Sequence, residues 1–368
     1  MNIYDYIDNY GIYSFKEKRF NEVDSVIFSF LSYVNYSNIL DKKEKKTIHE
    51  IGRMHLGLHN ETERNIIATT EANKLLKYLK DSKRYKNCII YNYEYKTDED
   101  YQFGAITIEY EKNQIYISYE GTDQQVSGWK ENLKLSYEFP TKAQELAIKY
   151  LKKYLFSIKT IRIGGHSKGG NLALIAGMYA PKIMMHKIIT MDSMDGPGIL
   201  EKEFKSKRYQ KILPKFTHYI PEYCLVGLIL NHSNDKVVAA KNKGILTHNI
   251  AYWSIENNHL KKGKLSKISE NLDQEISDWL HKYSENEKKE FVENLDNIIK
   301  RCDIETILEI ETEHKKIRKI IYESKGISTK NKEIMLDIIN RILKCISKSK
   351  KEEWKELIHN FLPNKNNE

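Results

Sequence analysis

The feature that most narrows how this chain can fold is Gly165-His166-Ser167-Lys168-Gly169, followed by Gly170-Asn171. A strand-forming run, Ile161-Arg162-Ile163, precedes it, and an apolar helical stretch, Leu172-Ala173-Leu174-Ile175-Ala176, follows it. The segment therefore reads as strand, sharp turn, helix. Reversing from strand to helix in so few residues forces the middle serine into a strained backbone conformation. Only neighbours as small as Gly165 and Gly169 let the chain pass without a Cβ clash. The Ser167 hydroxyl is then displayed at the carboxyl edge of a sheet, above a helix N-terminus that favours developing negative charge. This is the spacing of a nucleophilic serine. The competing reading is a glycine-rich turn that binds phosphate around an incidental serine.

The surrounding pattern supports an α/β fold with a mainly parallel sheet. Strands are expected at Phe103–Tyr110, Gln114–Glu120, Thr160–Gly164, Lys187–Met191 and Lys215–Ile220, with a last one at Val237-Val238-Ala239-Ala240. Helices at Asn21–Tyr36, Thr141–Ser157 and Gly169–Ala180 carry apolar residues at helical spacing. Composition shifts near residue 256, where Gly and Pro nearly vanish and Lys, Glu, Asn, Leu and Ile take over. The chain therefore divides into an α/β domain, residues 1–255, and a helical C-terminal region, residues 256–368. The latter reads as helices at about 269–282, 285–301, 303–323 and 330–361, the last with breaks.

A serine becomes a nucleophile only with a base and an acid that orients the base. In strand–turn–helix sites of this kind the acid and the histidine follow the serine in the chain. Of the downstream histidines, His186 precedes the next strand and lies at the wrong edge, and His218 falls inside a strand. His232 follows a short apolar segment that reads as a helix leading away from the site. His248 comes after the last strand and the turn Lys243-Gly244, with Tyr252 and Trp253 placed to pack its loop, and is the expected base. For the acid, Asp195 is preferred over Asp235, with Asp192 third. Asp192 and Asp195 lie just past the strand that follows the nucleophile. Asp235 qualifies only if Leu225–Leu230 is a strand, and Pro221 favours a helix there. The oxyanion donors are expected to be the amide of Lys168 and the Gly121-Thr122-Asp123 turn, where Thr122 offers both an amide and a hydroxyl.

Composition excludes several other classes. The longest apolar stretch, Cys224–Leu230, falls far short of the roughly 18 residues a membrane-spanning helix needs. The N-terminus has neither a basic n-region nor an apolar h-region, so a cytoplasmic protein is expected. Cys88, Cys224, Cys302 and Cys345 lie far apart with no C-x-x-C pair, which argues against a zinc ribbon or a disulfide framework and for buried or idle thiols. The net charge of +9 comes from mixed rather than blocked charges, which argues against a nucleic-acid partner and leaves a lean toward anionic lipid surfaces. His49, His55 and His59 have no partnering pattern of Asp or Cys and read as surface residues. The chemistry needs no metal and no organic cofactor. Residues 55–75 are a candidate lid.

Several of these residues also carry a family resemblance. Tyr119-Glu120-Gly121-Thr122-Asp123, Gly128-Trp129, Gly165 to Ala173, Asp195-Gly196-Pro197-Gly198, Thr247-His248 and Trp253 together resemble the Mbeg-like family of bacterial proteins. That family is distantly similar to the fungal-type (class 3) lipases. Phe20-Asn21-Glu22-Val23-Asp24 also resembles the family's opening helix. The resemblance implies an α/β-hydrolase fold with Ser167 as nucleophile and Thr122 at the oxyanion position. This chain departs from the lipases in having Glu120 where they carry Arg before Gly-Thr. It departs again at Ile220-Pro221-Glu222-Tyr223, where their acid follows the strand after next and no Asp stands here. The expected activity is hydrolysis of a carboxylic ester, with a small-molecule or lipid ester as substrate. The rivals are a degenerate scaffold used for binding, with the helical tail as partner surface, and a thioesterase or peptidase using the same site.

Overall fold

The computed structural model describes residues 1–41, 44–57, 67–122, 126–242, 244–302 and 328–345, with a few single positions between 319 and 326. Its centre is an eight-stranded sheet: β1 (Lys45–Thr47), β2 (Ile89–Thr97), β3 (Gln102–Glu111), β4 (Gln114–Tyr119), β5 (Thr160–His166), β6 (Ile188–Met194), β7 (Phe216–Pro221) and β8 (Asp235–Val238). The strands lie in chain order. The pairings from β1 to β4 are antiparallel, and those from β4 to β8 are parallel. Helices α1 (Ile3–Tyr10), α2 (Glu22–Leu31), α3 (Ile48–Gly57) and α4 (Ile67–Leu79) come early, and α5 (Val126–Lys134) and α6 (Lys142–Lys152) follow β4. The crossovers hold α7 (Lys168–Met178), α8 (Glu201–Phe204) and α9 (Lys207–Ile212). After β8 come a small hairpin, β9 (Ile255–Glu256) and β10 (His259–Leu260), and then α10 (Lys267–Lys282), α11 (Glu285–Arg301) and α12 (Thr329–Cys345).

This order explains the layering. Successive right-handed crossovers that step in one direction put their helices on one face of the sheet. Accordingly Ala143, Ala147, Leu151, Leu172, Ile175, Tyr209 and Ile212 form a core with Phe103, Ala105, Ile115, Ile117, Ile161 and Ile163. The other face would be bare, and the N-terminal helices cover it. Val23, Val26, Ile27 and Phe30 of α2 pack with Ile106, Ile108, Tyr110, Tyr116, Met194 and Tyr219. Alternation along β3 and β4 sends neighbouring side chains into opposite cores, as a period of two requires. The result is an α/β-hydrolase fold with C-terminal helices.

Local chemistry sets where the elements begin. Asn21 caps α2 by accepting from the Val23 and Asp24 amides, and the Asp24 carboxylate accepts from the Asn21 amide. Asp24 also takes a two-pronged bond from Arg84, at 2.8 and 2.6 Å, within a wholly buried pair. Thr141 and Gln144 make the same reciprocal cap on α6. The expected strands are all present within a few residues. The expected helix over Asn21–Tyr36 stops at Leu31, and the one over Thr141–Ser157 stops at Lys152. The segment Leu225–Leu230 is neither helix nor strand but a series of turns. The tail helices over 269–282 and 285–301 form as α10 and α11. Most of 303–323, and everything beyond Cys345 in the last one, lie outside the described residues. Cys88, Cys224 and Cys302 are buried thiols. Among the described residues no helix is long and apolar enough to cross a membrane.

Asp192 links the two faces through its protonation. It points from β6 toward α2, where the Ser25 hydroxyl donates to its Oδ2 at 2.7 Å. Burial pushes its carboxyl up to about 6, against the smaller opposing pull of that bond and of Arg162. An acid that holds its proton longer in the folded chain than in the unfolded one adds stability at low pH. That stability is lost as the pH rises from about 4 through 6, a cost on the order of 2–3 kcal/mol at pH 7. Asp192→Asn is therefore expected to raise Tm at pH 7 and to flatten the decline between pH 4 and 6. Thermal melts across that range test it, and a variant less stable than wild type at both ends would overturn the account.

Candidate active site

Ser167 follows the last residue of β5 and caps α7 with φ 57° and ψ −131°, in the left-handed half of backbone space that serine rarely occupies. The turn is held from three sides. The Ser167 amide donates to the Met194 carbonyl at 2.9 Å, and the Gly170 amide donates to the Ser167 carbonyl at 2.9 Å. A Cβ on Gly169 would lie 2.1 Å from the Tyr119 carbonyl oxygen, and one on Gly165 would lie 2.4 Å from the Gly169 backbone. The strained serine thus rests on close backbone approaches that only glycine permits.

Asp195 stands just past β6, with its own backbone at φ 50° and its amide bonded to the Tyr219 carbonyl at 2.7 Å. It is fully buried, and three donors share its carboxylate. His248 Nδ1 lies 2.6 Å from Oδ2, while the Cys224 thiol at 2.9 Å and the Gly227 amide at 3.0 Å reach Oδ1. Burial alone would raise this carboxyl, but the bond to His248, that ring's charge and the Cys224 bond hold it below the usual carboxylate range. Because the carboxylate only accepts, His248 carries its proton on Nδ1, which leaves Nε2 as the basic nitrogen. Burial pushes the Cys224 thiol well up, so it remains a donor.

The loop of His248 is pinned independently. Trp253, buried, donates from Nε1 to the Thr247 carbonyl at 2.9 Å, and the Thr247 hydroxyl donates to the Tyr223 carbonyl at 3.1 Å. His166 Nε2 lies 2.8 Å from the His248 carbonyl, and the two rings sit 4.5 Å apart, centroid to centroid. The carbonyl accepts, so His166 donates from Nε2. Burial, reinforced by the nearby His248 charge, lowers its titration to about 3, so the ring is neutral and its Nδ1 accepts from the Tyr33 hydroxyl at 2.9 Å. The residue before the serine therefore fixes the backbone of the residue expected as base.

On the opposite side, the Thr122 hydroxyl oxygen accepts from Asn132 Nδ2 at 2.7 Å, so its hydrogen is left to donate elsewhere. A Cβ on Gly121 would lie 1.9 Å from the Tyr33 hydroxyl, which keeps this turn close to the His166 strand end. Lys168, whose amide is the other expected donor, sends a fully buried ammonium to the Gln102 carbonyl and side chain and to Glu131 at 3.0 Å. Glu131 and Asn132 are adjacent on α5, so one helix holds both the Lys168 side chain and the Thr122 hydroxyl. Asp123 lies outside the described residues, as do residues 58–66 in the middle of the candidate lid segment.

The three acid candidates separate cleanly. Asp195 meets His248, Asp192 meets Ser25, and Asp235 accepts from His218 Nδ1 at 2.7 Å and His232 Nδ1 at 2.8 Å. Asp235 is the first residue of β8 and pairs with His218, level across the ladders with Ser193 and Gly165, but it stands three strands from β5 and its carboxylate is taken by His218 and His232. The helix expected at Leu225–Leu230, on which its placement at the opposite edge rested, does not form. Four contributors escaped the sequence reading. His166 stood inside the motif but gave no sign of what its ring touches. Tyr33, Asn132 and Cys224 are remote in sequence from the residues they hold.

Comparison with known proteins agrees with this geometry at the level of family. No curated protein matches the chain. One solved structure with detectable likeness is titled as a crystal structure of M37 lipase. It has 15% identity and a TM-score of 0.34, covering 58% of this chain and 70% of that one. A family model described as Mbeg1-like matches residues 79–297, more than half of the chain, running past the expected boundary at 255 through α10 and most of α11. The opening-helix resemblance at Phe20–Asp24 lies before that match. With the serine turn, the Asp195 turn and the His248 loop all inside the matched segment, the chain belongs to the Mbeg1-like family.

Proposed function

We propose that the protein is a serine hydrolase that cleaves carboxylic esters through an acyl-enzyme. The observation that carries this reading is the 2.6 Å bond between His248 Nδ1 and the buried Asp195 carboxylate, with the His248 backbone tied to the residue preceding a strained serine. Ser167 Oγ attacks the ester carbonyl carbon as its proton passes to His248 Nε2, and Asp195 stabilises the resulting imidazolium. The tetrahedral oxyanion is met by the Lys168 amide and by Thr122, through its amide or hydroxyl. Collapse expels the alkoxide, which takes the proton from His248. A water molecule, deprotonated by His248, then attacks the acyl carbon, and Ser167 leaves with the proton.

The neutrality of His166 matters to this cycle. A second cation 4.5 Å from His248 would oppose formation of its imidazolium, and burial removes that cost at every working pH. His166 is a positioning residue, since it acts through the His248 backbone.

Three outcomes are expected. A fluorophosphonate probe labels the wild-type chain, and Ser167→Ala abolishes labelling. Hydrolysis of p-nitrophenyl esters falls by about 10⁴-fold in kcat for Asp195→Asn, the scale of losing the orienting acid. A folded wild type that neither labels nor hydrolyses any ester, with or without detergent, would sink the proposal in favour of a binding role for the scaffold. For His166→Phe, kcat falls by about 10-fold with KM nearly unchanged, the scale of one lost hydrogen bond. The acid limb of its pH profile keeps the wild-type midpoint, because His166 does not titrate there. A moved midpoint, or a loss carried by KM, would rule out a purely positioning role.

A further inference from the structure

Among the described residues, one cluster outside the serine site gathers three metal-binding side chains: His218, His232 and Asp235, whose ligand atoms all lie within 4.8 Å of one another. We propose that this cluster is a structural site for a divalent first-row transition ion, with Zn²⁺ as the best match. The ligands would be His218 Nδ1, His232 Nδ1 and the Asp235 carboxylate, and water would take the fourth position.

Both histidines already present the right nitrogen. His218 Nε2 donates to the Gly196 carbonyl at 2.9 Å, and His232 Nε2 lies 3.7 Å from Asp273 Oδ1 on α10. Each ring therefore has its far nitrogen turned to a carbonyl or carboxylate and its Nδ1 turned to the shared carboxylate. This is the second-layer arrangement that fixes tautomer and ring orientation in metal-bound histidines. Two imidazoles and a carboxylate, with no thiolate, suit Zn²⁺ and its neighbours rather than Mg²⁺ or Ca²⁺.

The scaffold is rigid before any ion arrives. His218 and Asp235 are direct partners in the parallel β7–β8 ladder. His232 sits in a loop clamped by the reciprocal Asn231–Ile199 backbone bonds and by Asn234, whose side chain donates to the Leu213 and Phe216 carbonyls. The side chain of His218 is 2% exposed, that of His232 14% and that of Asp235 27%, so an ion would be mostly shielded but reachable. The ion would then tie β7, β8 and α10 together and, through His218 and Gly196, brace the turn that carries Asp195.

The test uses the full-length chain stripped with a chelator, incubated with Zn²⁺, desalted and measured for metal content. One Zn²⁺ per chain is expected, with Tm raised by about 3 °C at saturating ion and lowered again by EDTA. His232→Ala and Asp235→Asn are each expected to weaken binding at least tenfold in a competitive chelator titration. Co²⁺ in the wild type should give the intense visible absorption of a four-coordinate site. If a variant fails to fold, the Co²⁺ spectrum and stoichiometry of the wild type still decide the matter. Absence of stoichiometric Zn²⁺ in folded wild type, or folded variants that bind as tightly as wild type, would reduce the cluster to a hydrogen-bonded network and overturn the proposal.

Discussion

The left-handed backbone of Ser167 is the constraint on which the rest of this molecule depends. A serine at φ 57° is held there only because surrounding structure leaves no relaxed alternative. Two glycines let β4 and α7 close against the turn, and the Met194 carbonyl fixes the serine amide from the neighbouring strand. Those contacts require β4, β5 and β6 to be adjacent and parallel on the β5 side, which in turn requires the crossover helices to share one face. The N-terminal helices that cover the other face are thus a consequence of the turn's demands as much as of hydrophobic burial.

Asp195 obeys a similar logic. It comes directly after β6, and its backbone also sits at positive φ. The position after β7, occupied by Glu222 and Tyr223, serves instead to anchor the His248 loop and the start of α10 through the Tyr223 and Glu222 carbonyls. The Asp195 carboxylate is fully buried. That burial explains why three donors, one of them a thiol, converge on it. Gly196 completes the arrangement, since a Cβ there would lie 2.6 Å from the Ser167 carbonyl.

Much of this was legible in the chain itself, for identifiable reasons. The serine turn is a local event, written in five residues and their two flanking periodicities, so sequence states it outright. Strand positions were recoverable because two-sided burial makes them short apolar runs. What escaped was non-local. The Tyr33–His166 bond spans 133 positions and the Cys224–Asp195 bond spans 29, and neither leaves a periodic trace. Helices α1, α3 and α4 also escaped. Their apolar faces are interrupted by polar residues that the packed structure accommodates, such as Thr69 and Asn73, both buried on α4. The misreading of Leu225–Leu230 has a physical cause as well: a short apolar run carries no information that distinguishes a helix from a buried series of turns.

Helix α5 spans only nine residues, yet it touches nearly every system described above. Its Glu131 receives the Lys168 ammonium beside Ser167, and its Asn132 orients the Thr122 hydroxyl. On its outward side Lys130 pairs with Asp296 of α11 at 2.9 Å, and Leu133 packs on the cluster of Trp279, Phe291 and Ile334 that joins the three tail helices. The helix thus bridges the tail and the residues Lys168 and Thr122. A shift of α11 carried through the Lys130–Asp296 pair would therefore reach Lys168 and Thr122 together, because adjacent residues of α5 hold both.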